Sequence, residues 1–253
     1  MNPLPPEAAS PPQHPVGAPT PARRPRPWWE LAAALLLWLM CLLLLTSCAA
    51  PRADVVIVAG PVAGGLNFHR TSERLPGDVR RVAVLPLTCD GARAVMAEGR
   101  DALEPVLRTE LGKTRRFELV VVSSDTLRRL TGRGQWAADE ALPADFFQVL
   151  RADTGCDAVL FSRLTEFRPY PPLAVGWRLQ LVDCRGAEKK EIWWAVDEVF
   201  DAGKDEVAAA AVRFCDQYAR SGQPFADPRT VLRSPRGFGQ YAAATALGTL
   251  PWR

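Results

Sequence analysis

From Leu31 to Leu45 the chain runs for about 15 residues without a charged or amide side chain. A segment this apolar is destined for a membrane or its insertion machinery, so the folded body must be built from the residues after it. Arg23, Arg24 and Arg26 precede the run, Trp28 and Trp29 mark its border, and Thr46 and Ser47 are small residues at its exit. A positive start, an apolar middle and a small-residue exit are the parts of a secretory signal. Residues 28–47 are also about long enough to cross a bilayer as a helix. Two readings therefore stand, a cleaved signal peptide and an uncleaved inner-membrane anchor. Residues 1–27 are rich in Pro and poor in large apolar groups, and read as a disordered extension.

Beyond Cys48 there remain 205 residues, enough for one domain with its own core. Without the leading segment the formal charge is about +2, spread with no long basic block, which gives nucleic-acid binding no support. Cys89, Cys156, Cys184 and Cys215 lie beyond the signal. In an oxidising compartment they could form two disulfides with three connectivities; as buried free thiols they would serve as small apolar residues. Both readings stay open. No CxxC or Cys/His ligand spacing is present, and His69 is the single histidine after the signal. Neither a metal site nor a cofactor is expected.

Residues 48–78 hold Pro51, Gly60, Pro61, Gly64, Gly65, Pro76 and Gly77 and read as a tether, with one short strand at Asp54–Val58. Gly60 to Gly65 lacks the Lys-Ser/Thr ending of a phosphate loop. Order is expected from Val79. Arg80–Leu87 reads as a buried strand, and Leu103, Val106, Leu107 and Leu111 form one apolar helical stripe with Pro105 in its first turn. Phe117–Val122 is a second strand. Ser123 or Ser124 caps a helix carrying Leu127 and Leu130, and another helix over 143–153 buries Phe146, Phe147 and Leu150 before Gly155. Residues 157–167, 175–183 and 192–200 alternate with period two and predict an antiparallel meander. Asp205–Arg220 and Gly237–Leu247 complete the helices.

The order β-α-β-α-α-β-β-β-α plus a C-terminal helix gives a mixed α/β (α+β) domain. It is expected to hold a sheet of about five strands with helices on its faces. The domain spans 79–220, and 221–253 reads as an extension.

Two resemblances add to this. Leu45-Thr46-Ser47-Cys48 resembles the lipobox of bacterial lipoproteins. The resemblance implies that Cys48 is acylated and becomes the new amino terminus, anchoring the chain to the membrane through lipid. Ala49, in place of the Asp that retains such proteins in the inner membrane, implies the outer membrane facing the periplasm. Separately, Arg81–Leu87, Phe117–Val120, Gly155–Glu166 and Leu179–Asp183 with Glu191–Trp194 resemble, in order, segments of lipoproteins related to the curli-secretion lipoprotein and the penicillin-binding-protein activator. These share an α/β fold with the TolB amino-terminal domain. Ser162-Arg163 and Cys184-Arg185-Gly186 depart from the usual pattern. No inherited catalytic residue carries over. The resemblance implies a protein-binding domain of the envelope, with an unidentified envelope protein as partner and homo-oligomerisation left open.

No nucleophile elbow, HExxH or SxxK arrangement occurs after the signal. Asp145, Asp153 and Asp157, and Asp197, Glu198 and Asp201, read as caps and solvated strand ends. Trp193 and Trp194, one on each face of a strand, and Tyr170 beside Pro171-Pro172 are the candidate partner contacts. A non-catalytic accessory or scaffold is the expected function. The alternatives are an envelope hydrolase with an atypical site and a small-ligand-binding lipoprotein.

Overall fold

The computed structural model describes residues 38, 65–91, 93–186, 191–220 and 227–253. The extension, the signal apart from Trp38, Cys48 and the strand expected at Asp54–Val58 lie outside the described residues. The chain divides into two units, Met1–Asp54 and Val55–Arg253, and every element below belongs to the second.

Seven strands form one mixed sheet: β1 (Phe68–Arg70), β2 (Arg81–Val84), β3 (Thr88–Cys89), β4 (Glu118–Val121), β5 (Ala158–Arg168), β6 (Ala174–Asp183) and β7 (Ile192–Asp201). Their spatial order is β1-β7-β6-β5-β2-β4, with β3 also paired to β5. Strands β2, β4 and β5 run parallel, joined by helical crossovers, whereas β5, β6, β7 and β1 are antiparallel. The helices are α1 (Ala94–Lys113), α2 (Ser124–Thr131), α3 (Phe146–Thr154), α4 (Asp205–Arg220) and α5 (Pro235–Leu247), with a 3-10 turn at Pro228–Arg233. The mixed α/β class and the meander are as expected. The sheet gains β1 at its edge and β3 alongside β5, both too short to leave a periodic signal.

Alternation along the strands sends apolar side chains to two separate cores. Val82, Val84, Ala158, Leu160, Trp177, Leu179, Leu181, Trp194 and Val196 enter the larger, together with Leu103 and Leu107 of α1, Phe214 of α4 and Phe238 and Tyr241 of α5. Ala83, Leu85, Val159, Phe161, Val182 and Cys184 enter the smaller, beneath Leu127 of α2 and Phe146 and Leu150 of α3. Each large side chain fully buried in this way stabilises the fold by roughly 1.5–3 kcal/mol.

Three expectations need correction. Residues 66–78 are not tether, because β1 pairs with the edge of β7 and Leu75 and Val79 are buried in the larger core. Residues 235–250 are likewise no extension. Helix α5 packs on α1 so closely that a Cβ at Gly239 would stand 2.4 Å from Leu103 Cδ2, and Arg116 donates to the carbonyls of Leu250 and Pro251. Lastly, Pro105 sits inside α1, which begins a full two turns earlier than its apolar stripe announced. The ring lies on the exposed side, and the carbonyl it leaves without an N–H belongs to Asp101, also exposed, so that carbonyl is open to solvent.

The helical layer is tied by a buried charge. The Glu110 side chain, 3% exposed, accepts from Lys113 Nζ at 2.6 Å, from Gln240 Nε2 of α5 at 2.9 Å and from the Tyr218 hydroxyl of α4 at 3.1 Å. One carboxylate thus joins three helices. Burial alone would lower the Lys113 pKa, but the hydrogen bond and charge of Glu110 outweigh it and hold it above its ordinary value.

Candidate functional site

Helices α2 and α3 cover only the parallel side of the second sheet face. Over the rest of the antiparallel side that face carries no described helix, and strand register decides what it shows. Arg163 of β5 stands directly opposite Arg178 of β6, and Arg178 directly opposite Asp197 of β7. Two like charges facing each other across a ladder are destabilising on their own. Asp139, from the loop before α3, resolves the conflict. Its carboxylate accepts from Nη2 and Nη1 of Arg163 at 2.5 and 3.0 Å and lies 3.7 Å from Arg178. Asp90 flanks Arg163 at 3.3 Å and Asp197 flanks Arg178 at 2.7 Å. The Asp197 hydrogen bond keeps Arg178 above its ordinary pKa. Gln180, Phe161 and Ala138 complete a shallow depression around these charges. Val199, further along β7, is 42% exposed.

At one end of this face the β5–β6 hairpin closes through Tyr170, Pro171 and Pro172, the last two joined by a cis peptide bond. Arg168 braces the turn, donating to the Pro172 carbonyl and to Asp201 Oδ1, which also accepts the Gly203 N–H at 2.8 Å. The turn is braced while its aromatic tip stands in solvent: Tyr170 is 78% exposed. A braced loop carrying an exposed ring can present that ring at little entropic cost, which is what an interface anchor needs.

The tryptophan candidates do not share this position. Trp193 is 4% exposed and Trp194 is fully buried, and both belong to the larger core. Trp194 Nε1 donates to Thr249 Oγ1 at 2.9 Å, while Trp193 packs under Arg185, whose guanidinium lies 5.1 Å from the ring centre. The expected placement on opposite faces fails because the register slips between β6 and β7. Leu181 pairs with Trp194 but Val182 pairs with Ile192, leaving Trp193 as the extra residue of a bulge. Neither ring is available to a partner.

Four of the acidic candidates, Asp157, Asp197, Glu198 and Asp201, have structural duties. Asp157 accepts the N–H groups of Arg80 and Arg81 at 2.9 and 3.0 Å, fastening the entry of β2 to that of β5. Burial raises its pKa, but these two bonds and the charges of Arg185 and Arg151 more than offset that and hold it below the ordinary 3.8. Asp145 stands at the start of α3 without a capping bond. Glu198 accepts the Asn67 N–H at 2.9 Å, tying down the residue before β1. The four cysteines of the described residues are thiols: Cys156, Cys184 and Cys215 are buried and Cys89 is partly so. Cys156 and Cys184 face one another with sulfurs 3.5 Å apart, whereas Cys215 lies in the larger core and is pushed up to about 11 by burial. Among the described residues, no group of three His, Cys, Asp or Glu side chains could hold a metal ion, and no helix is long and apolar enough to cross a membrane.

Sequence reasoning missed the Asp139–Arg163–Arg178 cluster. Alternation placed Arg178 off the apolar face, but no local signal brings a loop aspartate from about 24 residues before Arg163 into contact with it.

No family model matches the chain, and no curated protein matches it. Loose likeness exists to solved structures. The PelC dodecamer of Paraburkholderia phytofirmans is 11% identical, covering 74% of this chain and 98% of that one, with a TM-score of 0.40. Lipoprotein GNA1162 of Neisseria meningitidis is 17% identical over 56% of this chain and 99% of its own, with a TM-score of 0.37. TolB of Acinetobacter baumannii is 16% identical over 63% of this chain and 32% of its own, with a TM-score of 0.25. At such scores the fold stands on the strand order and register described above.

Proposed function

We propose that this chain is a lipid-anchored accessory protein of the cell envelope, non-catalytic, which engages another envelope protein through the Tyr170 hairpin tip and the open half of its sheet. One observation carries the contact surface: a braced turn holds Tyr170 out in solvent at the end of an uncovered face whose charges are already arranged in pairs. Anchoring rests on the lipobox-like Leu45–Cys48 and on the charge and hydropathy pattern ahead of it. On this reading the chain is held at the outer membrane, facing the periplasm.

The test has two arms. Replacing Cys48 with Ser should abolish labelling by a radioactive fatty acid and stop cleavage before residue 48; unchanged labelling refutes the anchor. For the contact, a photo-crosslinking residue is placed at Tyr170, at Val199 or, as control, at Arg129 on the exposed side of α2. Irradiation of membranes should give one crosslinked product common to 170 and 199 and absent at 129. Products at all three positions, or at none, would remove this face from consideration.

A further inference from the structure

Two of the cysteines meet for reasons rooted in the chain's geometry. Helix α3 ends at Gly155 in the left-handed conformation (φ 64°), which turns Cys156 inward. Strand β6 ends at Asp183, and the next residue, Cys184, donates its backbone N–H to the Asp157 carbonyl at 3.2 Å. The two segment ends are thus pinned side by side. Their sulfurs stand 3.5 Å apart, and Cys184 Sγ donates to the Cys156 carbonyl at 3.1 Å. Both side chains are buried in the smaller core, against the face covered by α2 and α3.

The other two thiols lie elsewhere. Cys215 is a member of the larger core and Cys89 packs against that same core, so the sheet stands between them and the pair. Four thiols allow three pairings. Two of these require a bond through the sheet; the one that joins Cys156 to Cys184 does not. A disulfide has sulfurs about 2.0 Å apart, so closure demands a movement of about 1.5 Å, within reach of side-chain rotation between two segments already held side by side.

We propose that Cys156 and Cys184 form an intramolecular disulfide, stapling the end of α3 to the end of β6, when the chain folds in the presence of a small disulfide oxidant. One thiolate attacks the oxidant's S–S bond, releasing a thiolate and leaving a mixed disulfide. The second thiolate attacks the protein sulfur of that mixed disulfide and expels the other half of the oxidant. Two thiols become one S–S bond. The oxidant takes up two electrons and the two protons, becoming two thiols. In the folded pair Cys156 is the more acidic thiol: the hydrogen bond from Cys184 lowers it, against the effect of burial, to about 7, while Cys184 is pushed well above its ordinary value. This staple is independent of anchoring and of any partner.

The full-length protein, unfolded with reductant and refolded over oxidised and reduced glutathione, is trapped with iodoacetamide. It is then digested with trypsin without reduction. Mass spectrometry should find peptide 152–163 joined to peptide 179–185, two hydrogens lighter than their sum. Dithiothreitol should lower the melting temperature of the oxidised protein and leave Cys156→Ser and Cys184→Ser unmoved. Full alkylation of both cysteines overturns the proposal, and so does either one bridged to glutathione or to a different cysteine. Should the serine variants fail to fold, the peptide map of the unmodified chain decides alone.

Discussion

Replacing Glu110 with Ala should loosen the helical layer more than any other single polar change. The carboxylate is buried and bonded to groups from all three helices of the larger core, at 2.6, 2.9 and 3.1 Å. A hydrogen bond to a charged group contributes about 1.5–3 kcal/mol, and breaking a buried ion pair costs about 3–5 kcal/mol. Lys113 is 39% exposed, so its ammonium rehydrates when the carboxylate goes, which favours the lower figure. Tyr218 is buried, and loss of the acceptor its hydroxyl donates to keeps the cost from falling to zero. The expected loss is about 3 kcal/mol, or about 6–12 °C in melting temperature for a domain of this size. Glu110→Gln keeps the volume and an acceptor for the Tyr218 hydroxyl but removes the charge, and should lose roughly half as much. Thermal unfolding followed by circular dichroism at neutral pH reads both. If Glu110→Ala melts within about 2 °C of the parent, the carboxylate is not what joins α1, α4 and α5, and the argument fails.

Acid titration should separate Asp157 from the rest. Its folded pKa is depressed below 3.8, so its stabilisation is complete above the unfolded value and is lost as pH falls through the folded one. Asp157→Asn should lower the melting temperature at pH 7 and flatten its fall between about pH 4 and 2, measured by calorimetry across that range. Gly176→Ala should be costly because its Cβ would lie 2.4 Å from Thr165 Oγ1 and 2.8 Å from the Glu166 nitrogen, beside the bulge in β5; a chemical-denaturation loss of about 1–3 kcal/mol is expected. Tyr170→Ala should change stability by no more than about 0.5 kcal/mol while weakening crosslinking from Val199; a large loss of stability would show that the ring serves the fold.

Much of the architecture was legible because long, amphipathic segments announce themselves. The stripe Val175, Trp177, Leu179 and Leu181 is buried as alternation predicted, and Ser123 caps α2 by accepting the Thr126 N–H at 3.1 Å. What escaped depended on partners distant in sequence. Phe68-His69-Arg70 has no strand pattern of its own and becomes a strand only because β7 offers an unpaired edge. The bulge at Trp193 arises from the fit between two strands, so alternation read from β7 alone misplaced the ring. Pro105 was judged by its usual cost, which is small where water can reach the orphaned carbonyl. Of the candidate site, Tyr170 was visible as an aromatic in a Pro-rich turn. The charge cluster was not, since it exists only once the Asp139 loop has folded over β5 and β6.

The position of α5 governs when this body can exist at all. Residues 235–250 supply Phe238, Tyr241, Ala242, Ala243, Ala246, Leu247 and Leu250 to the larger core, and Arg116 grips the backbone just beyond. A chain made from its amino terminus therefore keeps its main core incomplete until residues 235–250 have been added. Until then α1 and β6 keep bare the apolar faces that α5 covers.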